Sequence, residues 1–285
     1  MIETDIIFSI NVHEDIGFLI SQILNIEEHV YVNYIILLNA NEFMYNKIQN
    51  SKLMKTIKNL KINPLYFEKK RFHGSLTQGI FSNMEFAMNE YNFKYFVILS
   101  SRNLFYNKLN KKSFKIFPKT NTGLKINNIN TNEWHWSSFI NTDLSTYIIN
   151  NDLLFSKDAH EGLTFDYLSC ERILSFLNDN DCIKKKLFNW NHCVEEFALQ
   201  TICINLTGYY YNLGIWEEDN INIEKLPKNK YVYKTLRYKT IENQNKIIKK
   251  KYKTIKKGGL LFLILFYILP FFINCINHII DSNQY

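Results

Sequence analysis

Three apolar runs in the first hundred residues restrict what this chain can fold into. "DIIFSIN" (Asp5 to Asn11), "VNYIILLNAN" (32–41) and "FKYFVILS" (93–100) have strand length and are apolar on both faces. Helical patterns stand between them. Ile16, Ile20, Ile23 and Leu24 share one helical face, and Leu76, Ile80, Met84, Ala87 and Tyr91 recur at helical spacing behind Ser75, which reads as a cap. "FMYNKIQNSKLMKTI" has a weaker period and leads to a short extended piece around Tyr66 and Phe67. This alternation predicts an α/β fold with a mostly parallel sheet covered on both faces.

In such sheets ligands bind beyond the carboxyl ends of the strands. Ser100, Ser101, Arg102 and Asn103 end one apolar run, His13 follows another, and Asn39 to Asn41 end the third, so these residues are expected to share one crevice. Each alone is an ordinary strand-end or turn residue. The stretch 107–150 has little period and carries "NEWHWSSF", whose aromatics suit either core packing or stacking on a ligand. A further α/β portion follows in "EGLTFDYLSCERILSFL", "NHCVEEFALQTICINL" and "GYYYNLGIW".

The net charge of +7 invites a nucleic-acid reading, but its distribution does not support one. "KIIKKKYKTIKK" (Lys246 to Lys257) holds seven lysines and no acid; the remaining 27 basic residues equal the 27 acidic ones. Directly after it, "GGLLFLILFYILPFFINCINHII" (Gly258 to Ile280) is apolar for sixteen residues and then diluted by Asn274, Asn277 and His278. An apolar helix beside a polybasic run is expected at a membrane, with spanning favoured over in-plane attachment and the amino-terminal part on the cytoplasmic side. The expected organisation is a folded domain over 1–240, a polybasic juxtamembrane segment over 241–257 and a membrane-anchoring helix over 258–280. "MIETDIIFSI" has acids where a signal peptide needs a basic stretch, so a tail anchor is the expectation.

Cys170, Cys182, Cys193, Cys203 and Cys275 have no CxxC spacing, which points to neither zinc nor a disulfide framework. Asn205-Leu-Thr is formally a sequon in an apolar stretch and reads as chance. No phosphate-binding glycine loop, HExxH or GxSxG element is present. Nor does an Asp-x-Asp end a strand, as a divalent cation held against a diphosphate would need.

The order of "INVHED", "IILLNAN", "FHGSLTQGIFSNMEFAM", "VILSSRNLF", "EGLTFDYLSCERILSFL", "HCVEEFALQTI" and "YYYNLGIW" resembles the core-2/I-branching β-1,6-N-acetylglucosaminyltransferase family, from Asp5 to Trp216. That resemblance implies a GT-A-like fold and inverting, metal-independent transfer of N-acetylglucosamine or a related sugar such as xylose from a UDP-sugar to a glycan or glycoprotein hydroxyl. No cofactor or metal is implied. Carried over by residue, the catalytic base falls on Glu196, or on Glu195 if the alignment slips by one. Donor contacts fall on His13, Asn39, Ser100, Ser101, Arg102 and Asn103, with Asn39 and Asn103 standing where the family has aspartate. Lys234 and Arg237 are candidates for the diphosphate, with Arg102 as rival, and Glu133, Trp134 and Trp216 match acceptor positions. A competing expectation is a membrane-tethered relative that has lost donor binding and acts as a scaffold or sugar-recognition module. A surface binder of phosphate or nucleic acid has only the lysine run behind it.

Overall fold

The seven residues of β2 (Ile6–Val12) lie in the interior of a seven-stranded sheet, and all but Asn11 are buried. This computed structural model describes residues 1–13, 15–70, 73–130, 136, 139–158, 160–215 and 226–234. They belong to a compact unit, Met1–Arg237; the second unit, Tyr238–Tyr285, lies outside the described residues, and with it the lysine run and the 258–280 segment. Among the described residues no helix is long and apolar enough to cross a membrane.

Along the chain come β1 (Ile2–Glu3), β2, α1 (Ile16–His29), β3 (Tyr34–Ala40), α2 (Glu42–Gln49), α3 (Lys52–Lys55), β4 (Leu60–Ile62), α4 (Ser75–Glu90), β5 (Tyr91–Asn92), β6 (Tyr95–Leu99) and β7 (Asn103–Phe105). Then follow β8 (Lys119–Thr120), α5 (Asp143–Asn150), β9 (Leu163–Asp166), α6 (Tyr167–Asp179), α7 (Asp181–Phe188), α8 (Ala198–Thr207), β10 (Tyr210–Asn212), β11 (Gly214–Ile215) and β12 (Val232–Lys234). The main sheet has the order β4-β3-β2-β6-β9-β10-β8. Its first four strands are parallel, whereas β9, β10 and β8 each run antiparallel to their neighbours. The expected mostly parallel sheet is therefore mixed. Parallel crossovers join only the four strands of the amino-terminal half, whereas β9 and β10 pair antiparallel although three helices lie between them, and β8 and β10 are too short to show a period in the sequence. Small sheets β1-β5 and β11-β12-β7 flank the main one.

Alternation along the strands sends Ile7, Leu37, Phe96 and Ile98 into one cluster with Ile80, Phe81, Met84 and Ala87 of α4. On the other face Phe8 meets Phe105 of β7 edge-on at 5.5 Å. A polar peg crosses the α4 layer: Asn83, fully buried, donates to Ser9 Oγ at 3.0 Å and to the Leu37 carbonyl at 3.1 Å, which fixes how α4 sits on the sheet. Ser75 is not the cap expected of it. The helix begins after Gly74 without a side-chain cap; the Ser75 hydroxyl accepts from Lys70 N–H, and the His73 ring accepts from Ser75 N–H. Asn205 is held inside the fold, donating to the carbonyls of Leu154 and Thr201 at 2.7 Å each.

Candidate functional site

The chain leaves β2 toward β3 and β4 on one side and returns to β6 on the other, so the connections diverge between β2 and β6. Open α/β sheets bind ligands at that switch point. A cavity of about 30 Å³ lies there, with Asn11, His13, Ser100, Ser101, His160 and Glu195 as its polar lining. Three of the sequence-chosen donor residues, His13, Ser100 and Ser101, are thus brought together. Several polar atoms of this lining have no hydrogen-bond partner: Asn11 Oδ1, Ser100 Oγ, His160 Nδ1 and Glu195 Oε2. Orphaned buried polar atoms are costly and point to something bound between them.

The turn after β6 owes its shape to Asn103. Its side-chain carbonyl accepts from Ser100 N–H at 2.7 Å, its own N–H donates to the Ser100 carbonyl at 3.2 Å, and Gln22 of α1 donates to the carbonyls of both residues. Asn103 is fully buried and serves the turn, and Arg102, partly exposed on it, does not line the cavity. Asn39, also fully buried, stands one strand away. It donates to the Leu65 carbonyl at 2.9 Å and accepts from Lys69 Nζ at 2.6 Å.

The acids come from the antiparallel half. Glu195 and Glu196 form a short 3₁₀ turn, Val194–Glu196, just ahead of α8, and both are buried. The turn is tied down through its backbone: Gln200 donates to the Glu195 carbonyl at 3.2 Å and Asp158 N–H donates to the Glu196 carbonyl at 3.0 Å. Phe197 anchors its far end against Phe139. Burial, followed by the nearby charges of Glu196 and Glu161, pushes the Glu195 carboxyl up to about 8. Glu196 is pushed up to about 7 by burial and then by Glu161, with Lys234 opposing.

Glu161, at 1% exposed, behaves in the opposite way. Burial alone would raise its carboxyl, but His160, Lys234 and a hydrogen bond from Lys234 outweigh it and hold the group below the usual range. Lys234 Nζ stands 2.5 Å from Glu161 Oε1, and His160 Nε2 stands 3.4 Å from the same oxygen. The His160 ring itself is pushed toward its neutral form, chiefly by burial. Two glycines allow this approach. Gly162 has φ +83°, and a Cβ on Gly214 would stand 1.8 Å from the Glu161 carbonyl oxygen, so any side chain there would separate β11 from the 160–162 loop.

His160, Glu161 and Lys69 were not singled out in the sequence. The one local signal for Glu161 was a glycine directly before an apolar strand. Arg237, Glu133, Trp134 and Trp216 lie outside the described residues. Trp136, also of the "NEWHWSSF" stretch, is 1% exposed and packs on Phe139 and Phe155 as a core residue. Among the described residues no group of three or more His, Cys, Asp or Glu could hold a metal ion. No protein-family model matches the chain, and no curated protein matches it either.

Proposed function

We propose that this protein is an inverting glycosyltransferase of GT-A-like fold that moves a sugar from a UDP-sugar to a hydroxyl of a glycan or glycoprotein. The observation that carries the reading is the buried Glu195–Glu196 turn beside a cavity at the switch point of the sheet, with Glu195 in the lining of the cavity and Glu196 next to it in the turn. Such a cavity admits a hydroxyl or a water rather than a whole sugar, which suits the reacting end of an acceptor. Glu196, with a carboxyl near 7, is substantially ionised at neutral pH and is poised to act as a base. Glu195, higher at about 8, keeps its proton.

In the step proposed, Glu196 takes the proton of the acceptor hydroxyl while that oxygen bonds to the anomeric carbon from the face opposite the diphosphate. The bond from the anomeric carbon to the diphosphate oxygen breaks, and its electron pair leaves with UDP. Fixed cations meet the leaving charge. The sequence adds a membrane setting, with residues 258–280 as anchor and the lysines of 246–257 against acidic lipid on the cytoplasmic face.

The test is UDP release from a panel of UDP-sugars by the full-length protein in EDTA, beside Glu196→Gln. Release is expected to survive chelation and to fall by about 10²–10⁴-fold in the variant, the range for a lost general base. Loss in Glu195→Gln with Glu196→Gln intact would move the base by one residue. A chain that neither releases UDP nor binds it by calorimetry contradicts the reading.

A further inference from the structure

His160 lines the cavity, and the proposed step does not use it. Its loop is fixed against the end of β6: Gly162 N–H donates to the Ile98 carbonyl at 2.8 Å, and Leu163 N–H donates to the His160 carbonyl at 3.1 Å. Nε2 of the ring stands 3.4 Å from Glu161 Oε1. A carboxylate oxygen can only accept, so the single proton of a neutral imidazole belongs on Nε2, and Nδ1 keeps its lone pair. Burial pushes the ring toward that neutral form, against Glu161 and with Lys234 and His13. Nδ1 is buried and has no hydrogen-bond partner among the described residues. A second acceptor of the same lining is fixed as well. Asn11 donates through Nδ2 to the Leu76 carbonyl at 2.8 Å, which leaves Oδ1 as the end without a partner among the described residues.

We infer that this protein also cleaves its UDP-sugar with water, and that His160 Nδ1 holds that water in the cavity. An alcohol brings one hydroxyl proton, and in the proposed step Glu196 takes it. A water brings two, so its second proton satisfies a fixed acceptor that an alcohol would leave empty. The cavity, about 30 Å³, has room for a water, which needs no opening for a carbon skeleton behind it. The water oxygen bonds to the anomeric carbon, and the bond from that carbon to the diphosphate oxygen breaks, its electron pair leaving with UDP. One water proton passes to Glu196; the other stays on the new sugar hydroxyl, which donates it to Nδ1. The products are UDP and free sugar. The donor and the base rest on the sugar-transfer reading; the tautomer of His160 and the two fixed acceptors do not.

The experiment measures UDP release from UDP-sugars by the full-length protein without an acceptor, beside transfer to p-nitrophenyl glycosides, in wild type, His160→Phe and His160→Asn. Wild type is expected to release UDP and free sugar with no acceptor present. His160→Phe, which keeps an aromatic ring without an acceptor, should lower the ratio of water cleavage to transfer about tenfold, in the range of one buried hydrogen bond. His160→Asn, whose amide oxygen can stand near the place of Nδ1, should recover part of that ratio. A merely structural role would lower both rates and leave the ratio unchanged, which overturns the inference. Transfer without any water cleavage overturns it too, and either result leaves the transferase reading standing. Water cleavage that depends on His160, with transfer to no glycoside, would sink the transferase reading and leave the inference; release of neither kind contradicts both. NMR of wild type carrying ¹⁵N-histidine needs no turnover: Nδ1 of His160 is expected unprotonated and accepting at pH 7, and a proton on Nδ1 overturns the inference.

Discussion

The loop before β9 and the turn before α8 each bury glutamate in the same crevice, and they leave it in opposite states. Glu161 has a lysine at 2.5 Å and a histidine at 3.4 Å, and it stays ionised below the ordinary carboxylate range. Glu195 is buried to the same degree and is pushed up to about 8, chiefly by that burial. Burial does not differ between them; a cation at hydrogen-bonding distance does. The pairing fixes one negative charge at the Lys234 end of the site and leaves exchangeable protons at the cavity end, which is the division that acid–base chemistry needs.

The largest effect should come from breaking the paired side. Glu161→Gln removes the carboxylate at 2.5 Å from Lys234 and is expected to cost about 3 kcal/mol, read as a lower denaturation midpoint at unchanged slope. Restoring neutrality in Glu161→Gln/Lys234→Met should recover a good part of that loss, and failure to recover it would mean that the pair does not hold the loop. On the unpaired side the sign reverses. Glu195→Gln is expected to be neutral at pH 5 and stabilising by about 1–2 kcal/mol at pH 8.5, because it removes a carboxylate that must otherwise be buried charged. The pH dependence follows from the directions. Raised Glu195 and Glu196 hold their protons more tightly when folded, so their contribution is full below the ordinary carboxylate range and is lost as pH climbs through about 7 and 8. Lowered Glu161 contributes above that range and loses its contribution as pH falls below it. Thermal melts of Glu195→Gln and wild type should therefore draw apart steadily from about pH 5 to 8 and keep a constant difference above that.

The same contrast separates what could be read in the sequence from what could not. The strands β2, β3 and β6 announce themselves because continuous apolar runs alternate with helical spacing, and their polar ends follow by rule, which is why His13, Ser100 and Ser101 are expected beside one another and do line one cavity. The antiparallel strands carry no such signal, being two to four residues long with partners far away in sequence. Glu161 gains its meaning from Lys234, and Asn39 from Lys69, through contacts that only the folded chain makes. Lys69 itself sits in "FEKKRF", a charged stretch that reads as solvated surface until β3 and α4 close over it. Asn103, a strand-end polar residue expected at a ligand, also holds its own turn through its side-chain carbonyl, a role that the sequence does not show.

The most direct test of the opposed ionisation is a titration of the full-length protein carrying ¹³C-carboxyl glutamate, followed by NMR and assigned with Glu161→Gln, Glu195→Gln and Glu196→Gln. Two resonances titrating near 7 and 8, removed by the Glu196 and Glu195 substitutions, with Glu161 ionised below the ordinary carboxylate range, are the expected result. Titration of all three near 4.5 would contradict the account.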